Sequence, residues 1–301
     1  MPSSFHAIQL SLFLGAVALT SGCEGASHAV STGAQLHELA QLELTYTREL
    51  QPAAPTRLEA AAHFVRYRTA DASSDAALDE AAVAGLLGIT RGSDDAIAID
   101  SCKLDEGNAP TAPAALEVSL LDAGPITLRR AGSTRSLVVV QPQHYPELLP
   151  FVSGVMYALE STQELAPAAS IEIEADGGED VGPFVASAKL PSAFPELVIA
   201  PGPELDVRWK QGPSGAPVII DLRWGGAAPG AVRCKAFDDG RFVVPHAWVA
   251  AGLDPALAAG NTAQLSVQRG ERSALIVPAI GRGQLLVTLR DVVTLVPAAQ
   301  Q

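Results

Sequence analysis

The segment QGPSGAP (211–217) sets Ser214 two residues after Gly212, the opening of a nucleophile-elbow pattern in which a serine on a strand-to-helix turn attacks an acyl carbon. The pattern breaks at its last position, where Ala216 stands in place of glycine, and Pro213 points to a turn between strands. A hydrolase on this chain would need a triad assembled from distant loops, with Ser214 meeting a histidine and a carboxylate from elsewhere. The histidines after residue 22 (His28, His37, His63, His144 and His246) never recur at i+2 or i+4, and no Cys-x-x-Cys occurs, so the spacing spells no zinc site. Carboxylates gather in GSDDA (92–96) and ADGGED (175–180). Asp176, Glu179 and Asp180 are hard oxygen donors of the kind calcium takes, but they lack the ordered spacing of an EF-hand loop, and solvated turn carboxylates are the commoner outcome. No glycine loop precedes a helix to cradle phosphate, and no cofactor is implied.

The chemistry most clearly written in the chain is at Cys23. Residues 1–22 carry an apolar run from about Ala7 to Leu19, long enough for a signal segment and too short for a stable membrane span. It ends in Thr20-Ser21-Gly22 directly before Cys23, which resembles the lipobox of bacterial lipoproteins, where the thiol is acylated and the preceding peptide removed. Two features depart from that pattern: Leu19 sits one position too far upstream, and the leading residues have His6 but no Lys or Arg. The alternatives are an ordinary signal peptide, cut after Ala16-Val17-Ala18, and a buried hydrophobic helix. The small, polar stretch that follows, EGASHAVSTGAQ, reads as a tether over residues 23–35 whose flexible span is roughly 20 Å. Two or three acyl chains on one cysteine meet the requirement that stable anchoring takes more than one chain. The expectation is an exported protein of the cell envelope, an outer-membrane lipoprotein facing periplasm or surface, that partners a membrane through N-terminal acyl chains.

Composition narrows the partners. The chain has 301 residues and a formal net charge of -13, with no Asp, Glu, Lys or Arg in residues 1–22, so all of that charge belongs to the remainder. Duplex binding depends on Lys and Arg neutralising phosphates, and the longest basic run is Arg129-Arg130, so nucleic acid is excluded as a partner. No further apolar run reaches the length of a membrane helix, because Arg290 and Asp291 interrupt even GQLLVTLRDVVTLVPA.

The elements that must carry any site are short Val/Ile/Leu runs punctuated by Gly, Pro, Asp and Asn, the texture of a mainly β protein. The pattern predicts strands at 62–68, 96–104, 116–122, 125–130, 135–141, 153–160, 170–175 and 184–190. One short helix is expected within SSDAALDEAAVAGLLGI. After the proline-rich LPSAFPELVIAPGP a second series follows at 204–209, 216–224, 231–237, 241–245, 263–269, 273–279 and 283–289. This organisation predicts two β-sandwich-like (immunoglobulin- or fibronectin-like) modules, residues 36–190 and 204–301, joined by a linker at 191–203.

Alternation puts Leu205, Val207 and Trp209 on one face of their strand, and Val218, Ile220, Leu222 and Trp224 on one face of theirs, opposite Asp221 and Arg223. Both tryptophans then belong to a core rather than to a glycan-stacking platform. Trp248 lies outside the strand pattern and is the candidate exposed aromatic for a ligand. Asp239-Gly240 suits a tight turn, so 231–237 and 241–245 are expected to pair as a hairpin. Cys102 and Cys234 fall in different proposed modules. The phase of Cys234 with Val232 and Ala236 favours two buried thiols over a disulfide that would lock the modules together.

The segments SLLDAGPI, FVSGVMYALE, DGGEDVGPFVASAKLP, ELDVRW and VRCKAFDDGRFVVPHAWV resemble, over most of residues 115–250, uncharacterised myxobacterial-type envelope lipoproteins. The resemblance implies an anchored β-rich architecture and brings no functional residues with it. The function expected is that of a non-enzymatic, lipid-anchored envelope protein, structural or binding an unknown envelope protein or glycan. The alternatives are a glycan or small-ligand binding module and the hydrolase described above.

Overall fold

A computed structural model describes residues 35–50, 55–69, 82–87, 89, 97–104, 117–145, 151–162, 165–200, 204–213, 215–226 and 229–297. The chain is mainly β, as its residue pattern predicts, and its described residues form three sheets in place of two modules. Cys23 and Ser214 lie outside the described residues.

The first strand, β1 (Gln35–Glu49), begins where the tether was expected to end, and no strand was expected before residue 62. Its signal is a plain alternation: Ala40, Leu42, Leu44 and Tyr46 are buried in the main core, while Glu43 and Thr45 line the opposite face. β1 pairs antiparallel with β2 (Arg57–Thr69) and parallel with the last strand, β17 (Gly281–Leu295), Leu44 lying opposite Val287. The two ends of the body are therefore neighbours in the middle of one sheet.

That sheet has ten strands. From β17 it continues through β16 (Ala263–Val277), β13 (Val218–Trp224) and β14 (Gly230–Ala236) to β3 (Ser101–Leu104) at one edge. From β2 it continues through β4 (Glu117–Leu120) and β8 (Val152–Thr162) to β7 (Gln143–His144) at the other. β8 runs beside β2 up to Ala62 and Tyr157, then departs to pair with β4. Gly154 stands at that departure with φ +111, where a Cβ would fall 1.9 Å from the Leu120 carbonyl oxygen, so only glycine fits. Runs expected at 263–269 and 273–279 are one strand, β16.

Two smaller sheets contribute to the same core. One holds β10 (Phe184–Lys189), β9 (Ser170–Ala175), β5 (Ile126–Arg130) and β6 (Ser136–Val140), with β10 packed near β16 and β17. The other holds β11 (Val198–Ala200), β12 (Leu205–Arg208) and β15 (Arg241–Val244). One continuous apolar core takes Leu42 and Phe64 from the large sheet, Ile171 and Phe184 from the second, and Val207 and Val244 from the third. A smaller cluster on the other face of the large sheet joins Leu39, Val65 and Tyr67 to Val83 and Ala84 of a helical turn at 82–86, within the stretch where one helix was expected.

The division into modules at 191–203 is corrected by this topology. Gly33–Gln301 form one compact unit, and strands from before and after the expected linker alternate in the large sheet. The linker itself is held down. Arg269 of β16, buried on the core side, donates through Nη1 to the Ala193 carbonyl at 2.7 Å and through Nη2 to the Lys210 carbonyl at 2.8 Å, and lies 4.1 Å from the centre of the Phe194 ring.

Two further expectations are corrected. Cys102 and Cys234 lie directly opposite each other in the β3–β14 pair and form a disulfide. Because β3 and β14 belong to one sheet rather than to separate modules, the two thiols are neighbours and bridge. The expected hairpin at Asp239-Gly240 does not form either, because β14 pairs with β13 and β3 whereas β15 pairs with β12. Asp238, fully buried, accepts from Arg269, from the Trp209 indole at 2.7 Å and from the Gly212 N–H at 3.0 Å, and Gly240 turns with φ +102. The turn thus passes the chain from the large sheet to the small one. Phe242 enters the core and Phe237 stays exposed.

Candidate functional site

The two expected core tryptophans are buried, Trp209 at 5% exposure and Trp224 at 9%, and pack in the same cluster from two different sheets. The Trp224 indole lies against Gly230 of β14 and Gly252 of the helical segment His246–Trp248, Val249–Leu253 and Asp254–Ala258, whose middle part is π-helical. Trp248 is partly buried against the main core rather than standing free as an aromatic platform.

The carboxylates of 92–96 lie outside the described residues, and of those at 175–180 Asp180 serves the fold. The Asp180 carboxylate accepts from the Asp122 N–H at 2.9 Å, and the Asp122 carboxylate accepts from the Gly124 N–H at 2.7 Å and from the Tyr157 hydroxyl at 3.0 Å. The Tyr157 hydroxyl also accepts from the Ala123 N–H at 2.7 Å, and burial raises its pKa above the ordinary tyrosine value. Among the described residues no group of three or more His, Cys, Asp or Glu side chains is placed to hold a metal, and Asp176, Glu179 and Asp180 are not brought together as ligands. Among the described residues the histidines join no such group, and His28 lies outside them. His37 stacks on Tyr67, with ring centres 5.0 Å apart, and His63 lies partly buried on β2, opposite Gln41, where burial lowers its pKa to about 4.

The strongest concentration of polar groups is elsewhere, on the face of the large sheet that turns away from the main core. A groove of about 430 Å³ runs over β1, β17, β16, β13 and β14. Strand pleating decides its lining, because each residue set between two core residues points into it. Asp221 and Arg223 alternate with Ile220, Leu222 and Trp224, Arg233 and Lys235 alternate with Val232, Cys234 and Ala236, and Thr288 and Arg290 flank Leu289. Register then sets the neighbours: Lys235, Ile219, Gln268, Arg290, Thr47 and Arg57 lie in one row across six strands. A second groove of about 200 Å³ adjoins the first and shares Asp221, Arg223 and Arg290 with it, adding Thr47, Glu49, Arg57, Glu59, Gln264, Ser266 and Val292.

The first groove carries five basic side chains (Arg223, Arg233, Lys235, Arg272 and Arg290) against two carboxylates, Glu43 and Asp221, on a chain whose net charge is -13. Asp221, 7% exposed, is engaged at both oxygens, by Gln268 Nε2 at 2.5 Å and by Arg233 Nε at 3.5 Å. Glu43 accepts from Gln41 at 2.6 Å. A basic strip in a concave surface concentrates positive potential on a chain that is acidic overall, and hydroxyl and amide groups beside it supply directional hydrogen bonds. Such an arrangement sets donors and acceptors of both charges along one concave surface. Sequence reasoning identified Asp221 and Arg223 as a face opposite the tryptophans but left Arg233, Lys235, Gln268 and Arg290 unassigned. Their shared phase was legible, whereas their juxtaposition depends on the parallel pairing of the first and last strands. No protein-family model matches this chain, and no curated protein or solved structure matches it either.

Proposed function

We propose that the protein is an exported, lipid-anchored envelope protein that binds a hydrophilic glycan or small ligand in the groove of its large sheet. Acyl chains on Cys23 hold it to a membrane and residues 23–35 space the body from the headgroups. The observation that carries the binding reading is the groove itself: a wall drawn from five strands, with charged, amide and hydroxyl side chains where a sheet exposed only to solvent has no need of a shared concavity. This ranks ligand binding above a purely structural role and above the hydrolase alternative, for which the groove supplies, among the described residues, neither a serine nor a cysteine in company with a histidine. The test is co-sedimentation of the purified full chain, in detergent, with insoluble envelope polysaccharide, beside a Thr45→Trp variant that fills the groove. Retention of the wild type with loss in the variant supports the reading. Equal behaviour of the two, whether both sediment or neither does, contradicts it.

A further inference from the structure

We infer that Arg290, Arg223 and Thr47 form a subsite for an oxyanion, a carboxylate or a phosphate group, carried by a hydroxyl-rich ligand such as an acidic sugar. The inference rests on the groove reading above and adds the charge of the ligand. Arg290 stands where the two grooves meet and lines both of them, as does Arg223. Thr47 is the direct neighbour of Arg290 across the parallel β1–β17 pair. The Arg290 Nε and the Thr47 Oγ1 are both shielded from water and have no hydrogen-bond partner. Buried polar groups are ordinarily satisfied, so a donor on a cation and a hydroxyl left open side by side point to a group that completes both.

The neighbouring charges leave that role open. Of the carboxylates that line the second groove, Asp221 is occupied by Arg233 and Gln268, Glu49 is paired with Arg57 at 3.6 Å, and Glu59 stands on β2 opposite Thr45, one strand beyond β1. Among the described residues neither Arg290 nor Arg223 enters an ion pair, in contrast to Arg48, which grips the buried Asp291 at 2.7 and 2.5 Å from the core side of the same two strands. An arriving oxyanion accepts from the guanidinium groups, whose planar array of N–H donors matches carboxylate and phosphate oxygens, and from the threonine hydroxyl. The rest of the wall favours a sugar as the carrier. Thr45, Thr288, Gln264, Ser266 and Gln268 both donate and accept, as sugar hydroxyls do.

The experiment is calorimetric titration of the purified full chain in detergent, at low salt, with glucuronate, glucose 6-phosphate and glucose. The structure predicts that at least one of the two anionic sugars binds tenfold or more tightly than glucose, and the preferred arm tells whether the site takes a carboxylate or a phosphate. Arg290→Gln and Arg223→Gln should each remove that tenfold preference, Thr47→Val should reduce it, and Arg208→Gln, on the small sheet, should leave it unchanged. Arg223 is exposed, so its variant reports on binding with the fold intact. Equal affinity for glucose and both anionic sugars, no binding of either anionic sugar, or a preference that survives Arg223→Gln overturns the inference. If all three sugars bind equally and Thr45→Trp abolishes the binding, the groove reading stands without its anion. If an anionic sugar binds as well to Thr45→Trp as to wild type, the groove reading fails too.

Discussion

Arg269 and Asp238 form a doubly bonded ion pair with both side chains almost completely out of water, Nε to Oδ2 at 2.9 Å and Nη2 to Oδ1 at 2.8 Å. Every group around the pair is engaged: the carboxylate also takes the Trp209 indole and the Gly212 N–H, and the guanidinium also donates to the backbone carbonyls of Ser192, Ala193 and Lys210. A buried pair of this kind is weak evidence for net stability but costly to break on one side, because the remaining charge is left without a partner. Asp238→Ala and Arg269→Met are each expected to lower urea-unfolding stability by about 3–5 kcal/mol, with the double change costing less than the sum. Additive costs would contradict the network.

The Cys102–Cys234 disulfide closes a long loop, its cysteines being 132 positions apart, and ties the short edge strand β3 to β14. Restricting an unfolded chain over a loop of that size is expected to stabilise the fold by about 4–5 kcal/mol. Peptide mapping under denaturing, non-reducing conditions should recover the two cysteines as one linked pair, and reduction should lower the urea midpoint. Two freely alkylated cysteines would remove the bond from the account.

His63 gives the body a dependence on pH. Burial holds its pKa at about 4 in the folded chain, below the ordinary histidine value of about 6.5, so between those two values the unfolded chain takes up a proton that the folded chain refuses. Its contribution is present in full above about pH 6.5 and is lost as pH falls to about 4, to a total of about 3 kcal/mol at most. Unfolding measured across that window, with His63→Gln beside wild type, should show a shallower decline in the variant. Parallel curves would mean that His63 titrates normally.

Trp224 is wedged so tightly that a Cβ added to Gly252 would meet its ring at 2.1 Å. Gly252→Ala is expected to cost about 1–3 kcal/mol through overpacking, and Trp224→Ala about 3–5 kcal/mol through lost burial and a cavity. Wild-type stability in the second variant would place the indole outside the core.

What could be read from the residues differs along the chain for physical reasons. Strands β9, β12 and β13 were legible because side-chain alternation is a local property: Ile171 and Ile173, Leu205 and Val207, and Ile220 and Leu222 announce their buried face within a few residues. The joining of those strands was not. The β1–β17 pair brings Leu44 beside Val287 from opposite ends of the body, and no turn chemistry signals a partner so remote. Asp239-Gly240 suggested a hairpin because the dipeptide permits one, but Asp238 beside it is captured by Arg269, which redirects the chain to another sheet. The groove shares this history. Arg223 has a phase in the sequence and Arg290 interrupts an apolar run, yet only the sheet places both at one site.

The central claim, that the groove is where this protein meets its ligand, is tested most directly by photo-crosslinking in intact cells. A benzophenone amino acid replaces Thr45, inside the groove, or Val185, which is 73% exposed on the edge strand of the second sheet. The account predicts a saccharide-bearing adduct from position 45 and none from position 185. An adduct from position 185 alone, equal adducts from both, or none from either would contradict it.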